Sequence, residues 1–106
     1  MTNKQKEVLK SKMLLEVNQI RDLFGLRKLK ELPKGYPMDQ NSCPIANSLK
    51  SKRFKGISVS AETIDVYVNV DTEDGGSRIS FEPKHLHKFI NLFDEGRFPE
   101  LEKESY

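Results

Sequence analysis

The chain has few of the residues that build metal, redox and disulfide chemistry. Its 106 residues include one cysteine, two histidines and no tryptophan. A single cysteine cannot form an intramolecular disulfide, and this set is too small for a closed four-ligand zinc site without carboxylates. The sequence therefore predicts no metal site, no cofactor and no disulfide framework.

Long apolar runs are missing as well. No run approaches the roughly 20 residues that cross a bilayer, and the amino terminus lacks an apolar segment before a small-residue cleavage site. Glycine-rich phosphate motifs of the Walker or Rossmann kind are absent. With 36% hydrophobic and 32% charged residues, we expect one cytoplasmic domain with no membrane partner. Within it, residues 1–32 form a basic amphipathic helical segment and residues 33–101 an α+β core.

Charge is distributed unevenly along the chain. The net charge is only +2, yet residues 1–60 carry 13 Lys or Arg against 5 Asp or Glu, whereas residues 61–106 carry 5 against 11. Such asymmetry is typical of a surface that binds phosphate, of complementary packing inside the protein, or of solvated lysines. No nucleic-acid docking motif is present. The candidate partner or nucleic-acid contacts are Arg27, Lys28, Lys30, Lys50 and Arg53.

Apolar spacing predicts a long first helix. Its stripe consists of Leu9, Met13, Val17, Ile20 and Phe24, and Gly25 supplies a stop. The leucines at 26, 29 and 32 predict one or two further helical turns, which Pro33 ends. The first helix has additional leucines at positions 14, 15 and 23, so a homodimer through this helix is one possible arrangement.

The rest of the chain predicts a small sheet between two helices. A second helix runs from Pro44 to about Arg53, and a third begins at Pro83 with an apolar stripe from Leu86 to Phe93. Between them, residues 57–59, 64–70 and 79–81 alternate in polarity like strands. The fold class is α+β, with a three-stranded antiparallel meander. The acidic turn at 71–76 lacks EF-hand spacing, so a calcium site is disfavoured.

A constrained loop joins the first two helices. Pro33 and Pro37 restrict the backbone, and Gly35 between them admits a φ that other residues avoid. Pro44 suits the first helical position, which makes Cys43 the candidate N-cap. Cysteine is an uncommon cap, so oxygens from Asp39, Asn41 or Ser42 are alternatives.

This loop and helix start are the candidate ligand site. Polar side chains either cap the helix or surround N–H groups that bind a small anion such as a nucleotide, with a cation nearby. We expect a non-catalytic binding protein with ligand contacts at Tyr36, Asp39, Asn41, Ser42, Cys43, Ala46 and Arg97. One alternative is an inhibitor or regulator that binds a host protein or nucleic acid through the basic helices. Another is an enzyme in which His85 or His87 activates Cys43.

Two separated motifs resemble those of a family of small uncharacterised proteins from bacteria and their phages. The first is Cys43-Pro44-Ile45-Ala46 followed by Leu49, and the second is Phe93-Asp94-x-Gly96-x-Phe98-Pro99-Glu100-Leu101. The resemblance spans roughly residues 33–101 and leaves the first helix uncovered. It implies no particular activity. It does imply a phage or mobile-element context, in which small proteins often work by binding or sequestering another molecule.

Overall fold

The computed structural model describes residues 2–52, 54–68 and 77–103 as an α+β fold. In chain order the elements are α1 (Asn3–Leu23), α2 (Pro44–Leu49), β1 (Phe54–Val59), β2 (Ile64–Val68), β3 (Ser77–Phe81), α3 (Leu86–Asp94) and a 3-10 turn (Pro99–Leu101). The strands form an antiparallel sheet in the order β1-β2-β3. The predicted meander between an amino-terminal and a carboxy-terminal helix is therefore confirmed. The acidic turn at 71–76 lies outside the described residues.

Helix α1 begins with a capping box and buries the predicted stripe. The Gln5 N–H donates to Thr2 Oγ1 at 3.1 Å, and the Thr2 N–H donates to Gln5 Oε1 at 2.8 Å, which satisfies two terminal donors. The stripe faces the core at Leu9, Met13, Val17 and Ile20. The extra leucines behave differently, because Leu15 is 61% and Leu23 71% exposed. The helix packs on its own domain, against α2 and α3.

The predicted helical turns at 26–32 are wrong, since this segment is in no helix. A buried side chain of α1 explains the difference. Asn18 Nδ2 donates to the Leu29 carbonyl at 3.0 Å, and the Leu29 N–H donates to Asn18 Oδ1 at 2.8 Å. Both backbone groups of Leu29 are thus satisfied by one amide, so a nonhelical path carries no unpaired polar group there.

Helix α2 ends at Leu49, earlier than predicted. Lys50 is its C-cap in an extended conformation, so Lys50 and Lys52 do not lie in a last helical turn; Arg53 lies outside the described residues. The chain leaves the helix early because β1 begins at Phe54. That side chain is buried with its ring 4.9 Å from the ring of Phe24.

Helix α3 begins at Leu86 and not at Pro83. The Glu16 carboxylate of α1 accepts the backbone N–H of His85 at 3.3 Å and contacts the His85 ring Nδ1 at 2.6 Å. His85 is therefore the N-cap, held to α1, and Pro83 belongs to the connection that precedes the helix. A carboxylate at this end also complements the helix dipole.

One apolar cluster joins α1, α2, the inner face of the sheet, α3 and the carboxy-terminal segment. Phe98 is fully buried and stacks on Phe89 with ring centroids 5.1 Å apart, and Leu101 is 7% exposed. Phe98 and Leu101 thus bring the carboxy-terminal segment back to the core. Burying a side chain of this size stabilises the fold by about 1.5–3 kcal/mol.

Gly35 is needed for space and not, as predicted, for its φ. Among the described residues, positive φ occurs at Gly25, Met38 and Gly96. Gly35 lies in a parallel bridge with the carboxy-terminal segment, donating its N–H to the Leu101 carbonyl at 2.8 Å. A Cβ at this position would overlap the backbone that leads into α2.

A surface ion pair also ties the carboxy-terminal segment to α1. Lys10 Nζ lies 2.9 Å from Glu100 Oε1 and 2.7 Å from Glu7 Oε1. Burial alone would raise the pKa of Glu100, but the hydrogen bond and charge of Lys10 outweigh it and lower that pKa. Burial alone would lower the pKa of Lys10, whereas Glu7 and Glu100 together raise it.

These opposite shifts predict a pH window for the pair. The stability from Glu100 is present above its ordinary pKa of 4.5 and is lost as pH falls through the lowered folded value. The stability from Lys10 is present below its ordinary 10.5 and is lost as pH rises through the raised value. Because Glu100 is partly exposed, we expect Glu100→Gln to cost about 0.5 kcal/mol at neutral pH and nothing at pH below the folded pKa. Urea denaturation at both pH values measures this.

Glu95→Gln is the matched control, because Glu95 is exposed and its ion pair is loose. Its Oε2 lies no closer than 3.9 Å to Arg97 Nε. It should leave stability unchanged at both pH values. A loss from Glu100→Gln that persisted in acid would show that the pair does not account for the effect.

Candidate functional site

The loop before α2 is held by backbone and amide hydrogen bonds. The Tyr36 N–H donates to the Ser42 carbonyl at 2.9 Å. Asn47 Nδ2 donates to the carbonyls of Lys34 and Ser42, at 2.8 and 3.0 Å. These contacts order the loop across its base, so its residues keep fixed positions relative to α2.

Cys43 is the N-cap of α2, as predicted, and its sulfur does the capping. Cys43 Sγ accepts the Ala46 N–H at 3.4 Å. Two of the three alternative caps have other partners: Asp39 Oδ1 accepts the Asn41 N–H at 2.9 Å, and Asn41 Nδ2 donates to the Ile57 carbonyl at 3.2 Å. Ala46 is fully buried. The first turn of α2 therefore presents its Ala46 N–H to a side chain of the protein itself.

The surroundings of Cys43 disfavour the thiolate form of its side chain. Burial raises the pKa of the Cys43 thiol, N–H groups of Ala46 and Ile45 partly offset this, and the charges of Asp94 and Asp39 raise it further. A cavity of about 220 Å³ lies beside the thiol, and both of these carboxylates line it. Carboxylates on the wall make this cavity unfavourable for an anion.

The side chains of Tyr36 and Arg97 lie outside the lining of this cavity. Tyr36 is 37% exposed, and Lys103 Nζ lies 5.6 Å from its ring centroid. Arg97 is exposed beyond the end of α3, next to Glu95. Neither residue lines the cavity beside Cys43. Of the predicted ligand contacts, the structure brings Asp39 and Cys43 together in the cavity lining, whereas Tyr36, Asn41, Ser42, Ala46 and Arg97 do not line it.

The two histidines have partners other than the thiol. His85 contacts the Glu16 carboxylate, and His87 Nε2 lies 3.0 Å from Asn91 Nδ2. Within residues 2–52, 54–68 and 77–103, no three His, Cys, Asp or Glu side chains form a group that could hold a metal ion. Activation of Cys43 by a histidine gains no support from these contacts.

The predicted basic contacts are spread over two segments. Arg27, Lys28 and Lys30 are exposed on the nonhelical stretch after α1, and Lys50 follows α2. Arg53 lies outside the described residues. These cations therefore do not form the face of a single helix.

A different basic surface lies between α1 and α3. We call it the α1–α3 groove; its volume is about 570 Å³ and its lining is Lys4, Gln5, Val8, Leu9, Lys12, His85, Lys88 and Leu92. The apolar part of the lining, which we call its floor, is Val8, Leu9 and Leu92, and Val8 is 46% exposed. Three lysines line the groove together with this floor, and the lining contains no carboxylate. The groove thus combines apolar contact with positive charge.

The lysines of the groove are free to meet a partner. Among the described residues, Lys4, Lys12 and Lys88 form no ion pair and no side-chain hydrogen bond. By contrast, Lys10 on the same helix is engaged by two glutamates. The three groove lysines therefore carry charges that no carboxylate of the described residues pairs with.

Sequence reasoning missed this groove as a site. The signal in α1 is Val8 with lysines four residues before and after it, off the buried stripe, which places all three on one face. The signal in α3 is Leu92 four residues after Lys88, also off the buried stripe. No pattern shows that these two faces meet, because that depends on how the helices pack.

In the described part of the chain, no helix is both long and apolar enough to span a membrane. Comparisons with protein-family models, curated proteins and solved structures find no match to this chain.

Proposed function

We propose that this protein is a non-catalytic inhibitor or regulator that captures an acidic amphipathic helix of a partner protein in the α1–α3 groove. The observation that carries the proposal is the unpaired lysine trio around the apolar floor at Val8. An amphipathic helix recognises such a groove with apolar anchors one turn apart, and acidic residues at its edges meet the lysines.

A protein helix suits the groove better than a nucleic acid does. Phosphate recognition needs cations along a backbone path and gains little from an apolar floor. Other cations of α1 are engaged elsewhere, since Arg21 donates to the Arg27 carbonyl at 2.6 Å and to the Ser48 carbonyl at 2.6 Å. The apolar floor at Val8 therefore favours a partner with apolar side chains.

The resemblance to small bacterial and phage proteins agrees with a role in binding. Its motif residues explain the fold more than the site, however, because Cys43, Ile45, Phe93 and Phe98 are all buried. We accordingly place the binding surface outside both motifs, in the groove that α3 forms with α1, the helix that the resemblance leaves uncovered.

Binding of a small nucleotide-like anion at residues 39–46 stays a prediction with less support. The Ala46 N–H is bonded to Cys43, and Asp39 and Asp94 line the adjacent cavity. An anion there would lie next to two carboxylates. Among the described residues, no lysine or arginine lines the cavity.

A charge-reversal experiment tests the groove. The probe is a synthetic acidic amphipathic peptide with leucines at helical spacing and glutamates on its flanks, labelled for fluorescence anisotropy. Lys12→Glu with Lys88→Glu should weaken its binding at least about ten-fold, because both changes put like charges against the peptide. The double variant should keep the fold, since both lysines are exposed.

Lys28→Glu with Lys30→Glu is the matched control, with the same change in net charge at exposed positions outside the groove. It should leave peptide affinity within about two-fold. Equal weakening by both pairs would overturn the proposal. So would displacement of the peptide by duplex DNA together with a steep salt dependence, which would favour a nucleic-acid partner.

A further inference from the structure

The two edge strands of the sheet differ in how the rest of the described chain covers them. The outer edge of β1 is covered by the loop before α2: the Val59 N–H donates to the Gln40 carbonyl at 2.9 Å, and the Ile57 carbonyl accepts Asn41 Nδ2 at 3.2 Å. Beyond its pairing with β2, β3 receives no backbone hydrogen bond from any described residue. An open edge of this kind can pair with another strand.

The inner side of β3 is also incompletely covered. Ile79 lies opposite Val66 in the register and therefore shares its core-facing side. Val66 is fully buried, whereas Ile79 is 37% exposed. The core-facing side of the sheet is therefore buried at β2 and remains apolar and partly accessible at β3.

We infer that β3 pairs antiparallel with β3 of a second copy, so that two three-stranded sheets become one continuous sheet. The register that we propose places Ser80 opposite Ser80 of the second copy. Strand alternation then puts Ile79 opposite Phe81 on the inner side, and Arg78 opposite Glu82 on the outer side. Because the dimer is twofold symmetric, the Ile79–Phe81 pair and the Arg78–Glu82 pair each occur twice.

Charge complementarity favours this occupant and this register. Arg78 and Glu82 are both exposed, and neither forms an ion pair with a described residue of its own chain. Opposite charges directly across a strand pair are stabilising, and so is an aromatic residue facing a β-branched one. A short strand pair buries little area, so the dimer should dissociate in the micromolar range.

The first test is sedimentation of the full chain over a range of concentrations. The wild type should shift from 12.2 kDa towards twice that mass. Arg78→Glu alone and Glu82→Arg alone should each weaken the dimer about ten-fold or more, because each puts like charges opposite one another. The double variant should restore wild-type association, since it exchanges the charges. A monomer at every concentration, or no rescue by the double variant, would overturn the inference.

The second test fixes the register. Residues directly opposite have Cα atoms about 4.5–5.5 Å apart, within reach of a disulfide. Ser80→Cys should therefore give a covalent dimer on mild oxidation. Tyr67→Cys on the central strand should give no covalent dimer under the same conditions, and neither should the wild type, whose Cys43 is buried. Equal cross-linking of the variants at 67 and 80 would contradict the proposed pairing. The interface shares no residue with the α1–α3 groove, so the two proposals fail or stand separately.

Discussion

Replacing Gly35 with alanine should destabilise the fold by about 3 kcal/mol or more, because overpacking against backbone cannot be relieved by a side-chain rotation. The added Cβ would overlap the Cys43 carbonyl carbon and the Pro44 nitrogen. Moving the loop away would also strain two hydrogen bonds of Gly35, one to Leu101 and one from Lys103 at 2.9 Å. The change thus separates the carboxy-terminal segment from the start of α2.

Alanine substitutions at two other glycines should have smaller effects and serve as comparisons. At Gly56, the nearest atom to an added Cβ is Cδ2 of Tyr67 at 4.0 Å, so Gly56→Ala should change stability by less than about 0.5 kcal/mol. Gly96 has open space but a φ of +81°, and Gly96→Ala should cost about 1 kcal/mol. Urea denaturation of the three variants gives the order. A Gly35→Ala variant as stable as Gly56→Ala would show that the loop can move away.

Periodic burial made most of the fold predictable from the sequence. The stripe from Leu9 to Ile20 and the alternation from Ile64 to Val68 each depend on residues close together in the chain. The helix boundaries were less predictable, because partners distant in sequence decide them. Glu16 holds the N-terminal end of α3 from 69 residues away, and no local pattern contains that contact.

The candidate site was less predictable than the fold for the same reason. Cys43 and Pro44 were readable as a helix start, since capping is local. Whether the N–H groups there are available depends on the side-chain rotamer of Cys43, and the charge of the adjacent cavity depends on Asp94 from another helix. The α1–α3 groove exists only because two helices that begin about 80 residues apart lie side by side.

Asn18→Leu should cost about 2–3 kcal/mol, because it leaves the N–H and the carbonyl of Leu29 without partners in a partly buried position. Leucine branches at the same atom as asparagine and is larger, so the substitution leaves no cavity. The loss should appear as a lower urea midpoint. It should also appear as faster hydrogen exchange at the Leu29 amide, since this bond holds the nonhelical stretch after α1 on the helix.

Asn91→Leu is the matched control, because Asn91 is exposed and its amide contacts only the ring of His87 among the hydrogen bonds of the described chain. It should shift stability by less than about 0.5 kcal/mol and leave exchange at Leu29 unchanged. An Asn18→Leu variant with wild-type exchange at Leu29 would mean that packing at Leu32, which is 7% exposed, suffices to hold the segment. The amide of Asn18 would then have no role in keeping residues 26–32 out of a helix.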